Sequence, residues 1–348
     1  MNLRIDLDKG YDIEIKNKAI KNLGPYLRKN YKNSKILIIS DDLVYSLHKD
    51  KILSEIKGFS YKEYILDQGE ESKNTQNLVN ILEFLAKNEF KRSDLILAFG
   101  GGMVGDISGL CASLYLRGID FINIPTTFLS AIDSSVGGKT AVNLKAGKNL
   151  CGAFYHPRKV FIDTDFLKTL TDYNFNDGLA EAIKYGMIRD KDLLDIFINE
   201  KVDKDYENID RIIKSCLEIK KDIVSKDEKD KGLRQFLNYG HSFGHTFEII
   251  SNFKLGHGHA VALGMLVMVN YFINNFSHDF INLLKKYNLY QEIDFPVDRV
   301  VKLARLDKKS SKDLINIIAV KKIGHGKIVS TNLKNLRTIY EKSYNKTL

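Results

Sequence analysis

The segment LILAFGGGMVGD, residues 95–106, decides the fold of the first half of the chain. Its first six residues form an apolar run of strand length, glycines occupy positions 100–102, and a helical pattern follows. This order of strand, glycine turn and helix lets backbone N–H groups and a helix N-terminus meet a phosphate. The spacing GGGxxGD differs from GxGxxG, so a plain tight turn is the alternative interpretation of these glycines.

Similar β-branched runs on both sides of this segment predict strands at 35–40, 61–66, 121–125 and 159–163. Amphipathic segments between them predict helices near 17–29, 43–57, 74–89 and 105–117. At the N-terminus, LRIDLD and YDIEI flank Lys9–Gly10, which is typical of a hairpin turn. Strands alternating with helices indicate βαβ units. We therefore expect an α/β domain with a mostly parallel, Rossmann-like sheet that binds ligands beyond the carboxyl ends of its strands.

Helical periodicity dominates after about residue 165. The predicted helices cover 177–189, 191–199, 206–225, 237–252, 260–275, 278–287 and 298–306. Near the end, DLINIIAVKKIGHGKIVS predicts a short hairpin around Gly324–Gly326. We predict two domains, an α/β domain over residues 1–165 and a mainly α-helical domain over residues 166–348.

The composition excludes several functional classes. No apolar run reaches the length of a membrane span, and the N-terminus lacks the pattern of a signal peptide. Cys111, Cys151 and Cys216 lie far apart and form no CxxC pair, so we expect free thiols and a cytoplasmic location. The net charge is +9, but the basic residues are interspersed with acidic ones. We therefore expect no nucleic-acid partner and a small anionic substrate instead.

Four of the eight histidines lie in the stretch from Arg234 to Met265. His241 and His245 are four residues apart and share one face of a predicted helix. We expect His257 and His259 in a glycine-flanked loop before the next helix. Converging imidazoles are what a divalent metal of zinc type needs, and satisfied core or surface histidines are the alternative interpretation.

A carboxylate could complete this metal site. In GLAEAIKYG, residues 178–186, Glu181 and Lys184 are three apart and share a helix face that we expect to be partly buried. There an ionised carboxylate needs a partner or a metal, and a surface ion pair is the alternative. With His241 and His257, Glu181 would form a two-histidine, one-carboxylate site that leaves room for substrate.

A second polar, glycine-rich stretch follows Pro125. It contains Asp133 and the sequence GGKT at 137–140, but the upstream glycine of a P-loop is missing, so we reject an NTPase. Lys139, Lys148 and Asn149 could contact phosphates, and an exposed loop is the alternative. A metal site and a nucleotide pocket in one enzyme indicate metal-assisted alcohol oxidation by NAD.

Together the motifs resemble those of the 3-dehydroquinate synthases, within the sugar-phosphate cyclases. The matching segments are GGGMVGD (100–106), YLRG (115–118), IPTTFLSAIDSSVGGKTAVN (124–143), GKNLCGAFYHP (147–157), GLAEAIKYG (178–186), GLRQFLNYGHSFGHTFE (232–248) and HGHAVALGM (257–265). Their order and approximate spacing extend over most of the chain, from the first strands to Asp307.

The resemblance implies a lyase of the shikimate pathway that acts in the cytoplasm as a homodimer. Such an enzyme converts 3-deoxy-D-arabino-heptulosonate 7-phosphate to 3-dehydroquinate and phosphate. Tightly held NAD transiently oxidises the hydroxyl at carbon 5, phosphate is eliminated, the hydride returns, and ring opening with aldol closure completes the carbocycle. The implied cofactors are NAD and one zinc or cobalt ion.

The resemblance also assigns residues. Glu181, His241 and His257 match the family's metal ligands. Positions that match substrate or active-site contacts are Lys139, Lys148, Asn149, Lys184, Lys220, Arg234, Asn238, His245, Arg117 and Asp133. Positions that match NAD contacts are Asp41, Gly69, Glu70, Glu71, Ser72, Lys73, Gly102, Met103, Val104, Gly105, Asp106, Thr126, Thr127, Lys139, Lys148, Phe166, Leu167, Lys168 and Thr169.

The chain departs from the family pattern at a few places. Leu43 replaces a polar residue, and Asp230 replaces a Glu. His259 replaces the common Glu of HGE, and we assign no role to it. A sibling cyclase such as a 2-deoxy-scyllo-inosose synthase, and an iron- or zinc-dependent polyol dehydrogenase, are the alternative functions. The substrates of 2-deoxy-scyllo-inosose synthases lack a carboxylate. The presence of Lys220, Arg234 and Asn238 therefore favours the dehydroquinate synthase reaction over this alternative.

Overall fold

The computed structural model describes residues 1–7, 10–292, 294–307 and 314–344. The contacts within the chain divide it into two compact units. Unit 1 comprises Met1–Leu170 and Glu207–Ser225, and unit 2 comprises Thr171–Tyr206 and Lys226–Leu348.

A seven-stranded sheet forms the centre of unit 1. Its strands are β1 (Asn2–Ile5), β2 (Tyr11–Lys16), β3 (Ile36–Asp41), β4 (Tyr61–Leu66), β5 (Leu95–Gly100), β6 (Asp120–Pro125) and β9 (Lys159–Asp163), in the spatial order β1-β2-β9-β6-β5-β3-β4. All neighbours pair in parallel except β1 and β2, which form the predicted antiparallel hairpin. The turn predicted at Lys9–Gly10 includes Lys9, which is outside the described residues.

Four helices of unit 1 connect its strands in the manner that the sequence predicts. They are α1 (Leu23–Asn30), α2 (Asp42–Glu55), α3 (Thr75–Lys87) and α4 (Gly102–Leu114). The chain leaves β3 for β4 on one side and then returns to β5 on the other side. Because the strand order reverses there, a crevice opens beyond the carboxyl ends of β3 and β5, where open α/β sheets bind ligands.

Alternate residues of β3 and β5 explain why both strands are central. Leu37 and Ile39 of β3 face one apolar cluster, whereas Ile36 and Ile38 face the other. All twelve residues of the two strands are buried, because helices cover both faces of the sheet. The prediction of a mostly parallel α/β sheet is confirmed.

Two features of unit 1 were not predicted from sequence. The polar segment after Gly138 forms an antiparallel hairpin of β7 (Lys139–Leu144) and β8 (Gly147–Phe154), although its residues look like a loop. Helix α7 (Ile209–Lys226) is helical as predicted, but residues 207–225 belong to unit 1.

Unit 2 is mainly helical. Its helices are α5 (Asp172–Ile188), α6 (Lys191–Asn199), α8 (His241–Ile250), α9 (His257–Phe272), α10 (Ser277–Lys286), α11 (Val297–Asp307) and α12 (Leu333–Tyr344), of which α12 was not predicted. The predicted hairpin is confirmed as β10 (Leu314–Val320) with β11 (Gly326–Asn332). Across the described parts of the chain, none of the helices has the length and apolar character that crossing a membrane requires.

Helices α8 and α9 approach each other closely at glycines. A Cβ on Gly264 would lie 2.0 Å from the carbonyl oxygen of Gly240, and one on Gly244 would lie 3.0 Å from Cα of Val261. Backbones can come this close only where a side chain is absent. The close approach brings the first turn of α8 beside α9.

Candidate active site

Helix α5 carries a carboxylate and an ammonium into the interior of unit 2. Thr171 caps the helix by accepting the N–H of Asn174, and every residue from 178 to 188 is buried. Glu181 and Lys184 are 1% and 2% exposed and form an ion pair. The pair is therefore buried, and the alternative interpretation of a surface ion pair is wrong.

Glu181 meets two histidines from other helices of unit 2. Its Oε1 lies 3.7 Å from Nε2 of His241 and 3.7 Å from Nε2 of His257. The ligand atoms of these three residues all lie within 4.8 Å of one another. Oε1 is buried and accepts no hydrogen bond. A buried carboxylate oxygen of this kind facing two imidazole nitrogens suits a divalent cation of zinc type.

Backbone and side-chain contacts orient both imidazoles. His241 is the first residue of α8, after Gly240 at φ +79°, and its Nδ1 lies 3.1 Å from the carbonyl oxygen of Tyr239. A proton on Nδ1 then donates to Tyr239, which leaves the Nε2 lone pair directed at Glu181. In His257, Nδ1 lies 3.6 Å from Oε1 of Glu248. A carboxylate behind a ligating histidine is the usual arrangement around protein-bound metals.

Glu248 was not predicted from the sequence, although its spacing from His245 carried a signal. Glu248 is three residues after His245, so both lie on one face of α8. The structure places Glu248, His245 and His257 in a second group of potential ligand atoms within 4.8 Å of one another. Glu248 is 6% exposed, which is unusual for a carboxylate without a partner or a role.

The pKa values of the two histidines are shifted in opposite directions. Burial lowers the pKa of His241 well below its ordinary value, and the charge of Lys184 adds to this shift. Burial also disfavours a charged His257, but the contact with Glu248 and the charge of Glu181 outweigh it and raise that pKa to about 9. Without a cation, His257 therefore carries a proton at neutral pH, and metal binding would release that proton.

The structure corrects the expectation about residues 257–259. His257 and His259 were expected in a loop, but both belong to the first turn of α9. His259 is 6% exposed, and neither group of potential ligand atoms among the described residues includes it. Its Nδ1 instead lies 2.9 Å from Oδ1 of Asp177.

The remaining predicted residues of unit 2 are spread along the segment before α8 and on α8 itself. The ring of His245 is centred 5.2 Å from that of His241 and 6.0 Å from that of His257. Arg234 is 4% exposed and donates through Nη1 to the carbonyl oxygen of Glu228. Asn238 is exposed.

A carboxylate stabilises the loop that leads to Arg234. Asp227 accepts backbone N–H groups of Lys231, Gly232 and Arg234, and these bonds lower the pKa of Asp227 to about 2. The carboxylate is therefore charged throughout the neutral range and keeps the backbone of Arg234 in place.

In unit 1, the predicted NAD positions follow the carboxyl ends of parallel strands. Asp41 ends β3, residues 69–73 follow β4, residues 102–106 follow β5, residues 126–127 follow β6, and residues 166–169 follow β9. The carboxyl ends of parallel strands meet at one edge of a sheet, so the structure brings these five segments to the same edge.

The glycine turn between β5 and α4 leaves room for a ligand backbone contact. The first N–H groups of any helix lack intrahelical acceptors. At α4 no side chain replaces these acceptors, because the residue before the helix is Gly101. A Cβ on Gly101 would lie 3.0 Å from Cγ2 of Thr127, and one on Gly102 would lie 2.9 Å from Oγ of Ser134. These glycines permit close approach, as a phosphate-binding turn requires.

A charged cluster lies beside this turn. Nζ of Lys73 lies 2.5 Å from Oδ2 of Asp106 on α4 and 2.5 Å from Oδ1 of Asn149 on β8. Burial raises the pKa of Asp106 to about 6, although Lys73 opposes the shift. The β7–β8 hairpin thus brings Asn149 to the edge that carries the other predicted NAD positions, while Lys139 and Lys148 on the same hairpin are exposed.

Helix α7 contributes a buried lysine to unit 1. Nζ of Lys220, which is 4% exposed, donates to the carbonyl oxygen of Asp133 at 2.6 Å and to its Oδ1 at 2.9 Å. Two positions predicted from the resemblance, eighty-seven residues apart, are therefore in contact.

Some predicted positions are placed differently. Arg117 is exposed, with φ +66°, and lies three residues after the end of α4, whose axis extends roughly 18 Å from Gly102 to Leu114 at 1.5 Å per residue. It is therefore at the opposite edge of the sheet from the predicted NAD positions. Phe166 and Leu167 are core side chains, and the carboxylate of Asp41 caps α2 by accepting the N–H of Val44 at 2.9 Å.

Two family models match the chain in succession. The model described as 3-dehydroquinate synthase N-terminal matches residues 63–177, and the one described as 3-dehydroquinate synthase C-terminal matches residues 178–310. A 3-dehydroquinate synthase of Clostridium kluyveri is 41% identical over 341 residues, which cover 94% of this chain and 95% of that protein.

Two solved structures with a similar fold contain NAD⁺ and a divalent metal ion. A 2-deoxy-scyllo-inosose synthase complexed with carbaglucose-6-phosphate, NAD⁺ and Co²⁺ superposes with a TM-score of 0.86 at 25% identity, over 98% of this chain and 100% of that one. A 2-epi-5-epi-valiolone synthase from Streptomyces hygroscopicus subsp. jinggangensis with NAD⁺ and Zn²⁺ bound has a TM-score of 0.87 at 22% identity, over 97% of each chain.

Proposed function

The chain belongs to the 3-dehydroquinate synthase family, and we propose that it converts 3-deoxy-D-arabino-heptulosonate 7-phosphate to 3-dehydroquinate and phosphate. The observation that carries this proposal is the meeting of Glu181, His241 and His257 around a buried carboxylate oxygen. Three protein ligands leave a position for substrate, which is typical of a catalytic rather than a structural metal.

Glu181, His241 and His257 would hold one zinc or cobalt ion, and Glu248 would keep the His257 ring in place through Nδ1. When bound, the ion would supply Lewis acidity at a substrate alcohol and NAD would supply reversible hydride transfer, so that no external redox partner is needed. Lys184 compensates the charge of Glu181 in the buried site. His245, beside both imidazoles, is suited to move or hold a proton on the substrate side.

Unit 1 provides the NAD site in this proposal. The first turn of α4 at Gly102–Asp106 would bind the pyrophosphate, since the N–H groups of Gly102, Met103 and Val104 lack intrahelical acceptors. Lys73 is fixed by Asp106 and Asn149 at the same edge. Asp41, Thr126, Thr127 and the backbone of residues 166–169 would complete the contacts. The crevice beyond the carboxyl ends of β3 and β5, where the strand order reverses, supports this assignment.

A small anionic substrate agrees with the basic residues. The related 2-deoxy-scyllo-inosose synthase is complexed with carbaglucose-6-phosphate, which is itself a small anion. For this chain, we assign substrate binding to Lys139, Lys148, Asn149, Lys184, Lys220, Arg234 and Asn238, with Asp133 holding Lys220. Arginine suits a carboxylate or phosphate because its planar fork binds two oxygens. Arg117 stays a prediction from the resemblance.

The assignment of whole regions follows the same reasoning. We propose that residues 1–165 bind NAD, with Lys139, Lys148 and Asn149 of this range also in contact with the substrate. Residues 166–348 bind the metal and the substrate, and Lys220 of this second range belongs to unit 1. A homodimer in the cytoplasm, which the family resemblance implies, is part of the proposal.

One assay separates this function from the alternatives. Purified protein with NAD and Zn²⁺ or Co²⁺ is given the heptulosonate phosphate, and phosphate and NADH are followed together. We expect phosphate release without net formation of NADH. With glucose 6-phosphate as substrate we expect no phosphate release. Stoichiometric NADH would identify a polyol dehydrogenase instead. A folded, metal-replete protein that releases no phosphate from the heptulosonate would contradict the proposal.

A further inference from the structure

The first turn of α9 lacks a cap of its own. The residue before the helix is Gly256, which has no side chain, so the N–H groups of the first turn need acceptors from elsewhere. Asp177 on α5 provides one, because its Oδ1 lies 3.1 Å from the backbone nitrogen of His259. An N-cap side chain normally makes this bond to the third residue of a helix, and here a neighbouring helix supplies it.

The same oxygen also fixes the His259 ring. Oδ1 of Asp177 lies 2.9 Å from Nδ1 of His259, and the Tyr173 ring stacks on His259 with centroids 4.2 Å apart and planes 15° apart. The Tyr173 hydroxyl accepts the N–H of Gly256 at 2.8 Å. Two residues of α5, four positions apart, therefore hold both sides of the turn that contains His257.

The fit between α5 and this turn allows little displacement. A Cβ on Gly258 would lie 1.7 Å from the carbonyl oxygen of Asp177, and one on Gly256 would lie 2.5 Å from Oδ1 of Asp177. The turn is in backbone contact with α5, so a small movement of α5 must move His257 as well.

Glu181 lies one helical turn after Asp177 on the same face of α5. Helix α5 thus carries, at intervals of four residues, two anchors of the α9 turn and one ligand of the metal cluster. We propose that Asp177, through His259, and Tyr173, through the Gly256 N–H, are positioning residues that set the distance between Glu181 and His257 and so the affinity of the metal site. This inference rests on the proposed function, because it assumes that the cluster binds a metal.

The experiment measures metal binding directly. Apo protein is titrated with Zn²⁺ and Co²⁺, the dissociation constants are determined, and the visible spectrum of the Co²⁺ form is recorded. For Asp177→Ala we expect dissociation constants about tenfold higher or more, and a shifted Co²⁺ spectrum. Asp177→Asn keeps an oxygen that can accept both bonds, so it should bind within about threefold of wild type.

A matched control separates positioning from loss of a helix cap. Asp190 caps α6 by accepting the N–H of Leu193 at 3.1 Å, in the same unit and without contact to the cluster. Asp190→Ala should lower stability as a lost cap does, yet leave metal affinity and the Co²⁺ spectrum unchanged. Equal losses in metal affinity for Asp177→Ala and Asp190→Ala would overturn the inference.

A second variant covers the case in which Asp177→Ala does not fold. Tyr173→Phe removes only the hydroxyl that accepts the Gly256 N–H, on an exposed side chain, and should weaken metal binding by about threefold. Unchanged metal affinity and Co²⁺ spectrum in Tyr173→Phe, or in folded Asp177→Ala, overturn the inference alone. A wild-type protein that takes up neither ion overturns the proposed function and the inference with it.

Discussion

Lys184 pairs with Glu181 one turn earlier on α5, and both side chains are almost fully buried. The ammonium engages Oε2, and Oε1 faces His241 and His257 instead. A buried carboxylate is costly unless each oxygen has a partner. Lys184 compensates part of the negative charge, and a cation between the carboxylate and the imidazoles would satisfy the other oxygen. The pair therefore prepares Glu181 as an anionic ligand.

Replacing Glu181 by Gln should remove the metal. The change keeps the size of the side chain but removes the charge that faces both imidazoles, so we expect metal affinity to fall at least about a hundredfold. Metal content after dialysis, measured by elemental analysis, tests this. Glu218→Gln on α7, where Glu218 forms an exposed ion pair with Lys214, is the control and should retain the metal. A metal-replete Glu181→Gln protein would exclude Glu181 as a ligand.

Replacing Asp106 by Ala should weaken NAD binding. Lys73 loses a charge-assisted hydrogen bond, typically worth about 1.5–3 kcal/mol, and its ammonium is no longer fixed at the edge beside α4. We expect the NAD dissociation constant, measured by calorimetry, to rise about tenfold or more. Metal affinity should not change, and Asp50→Ala on the exposed side of α2 should bind NAD normally. Unchanged NAD affinity in Asp106→Ala would argue against a cofactor role for this cluster.

Replacing Gly264 by Ala should destabilise unit 2. The new methyl group would lie 2.0 Å from the Gly240 carbonyl oxygen and 2.8 Å from the Gly244 nitrogen, so α8 and α9 must separate. We expect a loss of about 3 kcal/mol in the free energy of unfolding, measured with urea. Metal affinity should fall too, because Gly240 precedes His241. Gly232→Ala is the matched control, since a Cβ there meets no atom within 4 Å. Equal stability of the two variants would contradict the close helix packing.

The buried His48 should make stability depend on pH. Burial lowers its pKa to about 4, helped by the charge of Lys51, whereas the unfolded ring has a pKa near 6.5. Below pH 6.5 the unfolded chain binds a proton that the folded chain does not bind until about pH 4. Stability is therefore lost as pH falls through this window, by about 1–2 kcal/mol after allowance for solvent screening.

Comparison of variants isolates this effect. The difference in unfolding free energy between wild type and His48→Gln should change between pH 7 and pH 4.5, because only wild type carries the titrating ring. His278→Gln, at an exposed position on α10, should follow the wild-type pH dependence. Parallel pH profiles for wild type and His48→Gln would show that His48 does not titrate in this manner.

The sequence alone was sufficient for the elements whose pattern is local. The apolar runs at β3 and β5 predicted strands, and the structure shows both to be buried on both faces of the sheet. The glycine turn predicted the start of α4 within a few residues. Helical periodicity located most helices of unit 2, and residue chemistry named Glu181, His241 and His257 as a metal set. The β7–β8 hairpin was not predicted, because its polar, glycine-rich residues carry no strand pattern.

Only the tertiary structure decided which of these residues meet. Sixty residues separate Glu181 from His241, and their approach depends on how α5, α8 and α9 pack. At Gly240 and Gly264 this packing leaves no room for a Cβ atom. Local pattern could not show that α7 places Lys220 on Asp133, or that Arg117 lies at the far edge of the sheet. Nor could it show that Asp177 engages His259, because the contact spans eighty-two residues. Periodicity acts over a few residues, whereas a site is made by packing between distant ones.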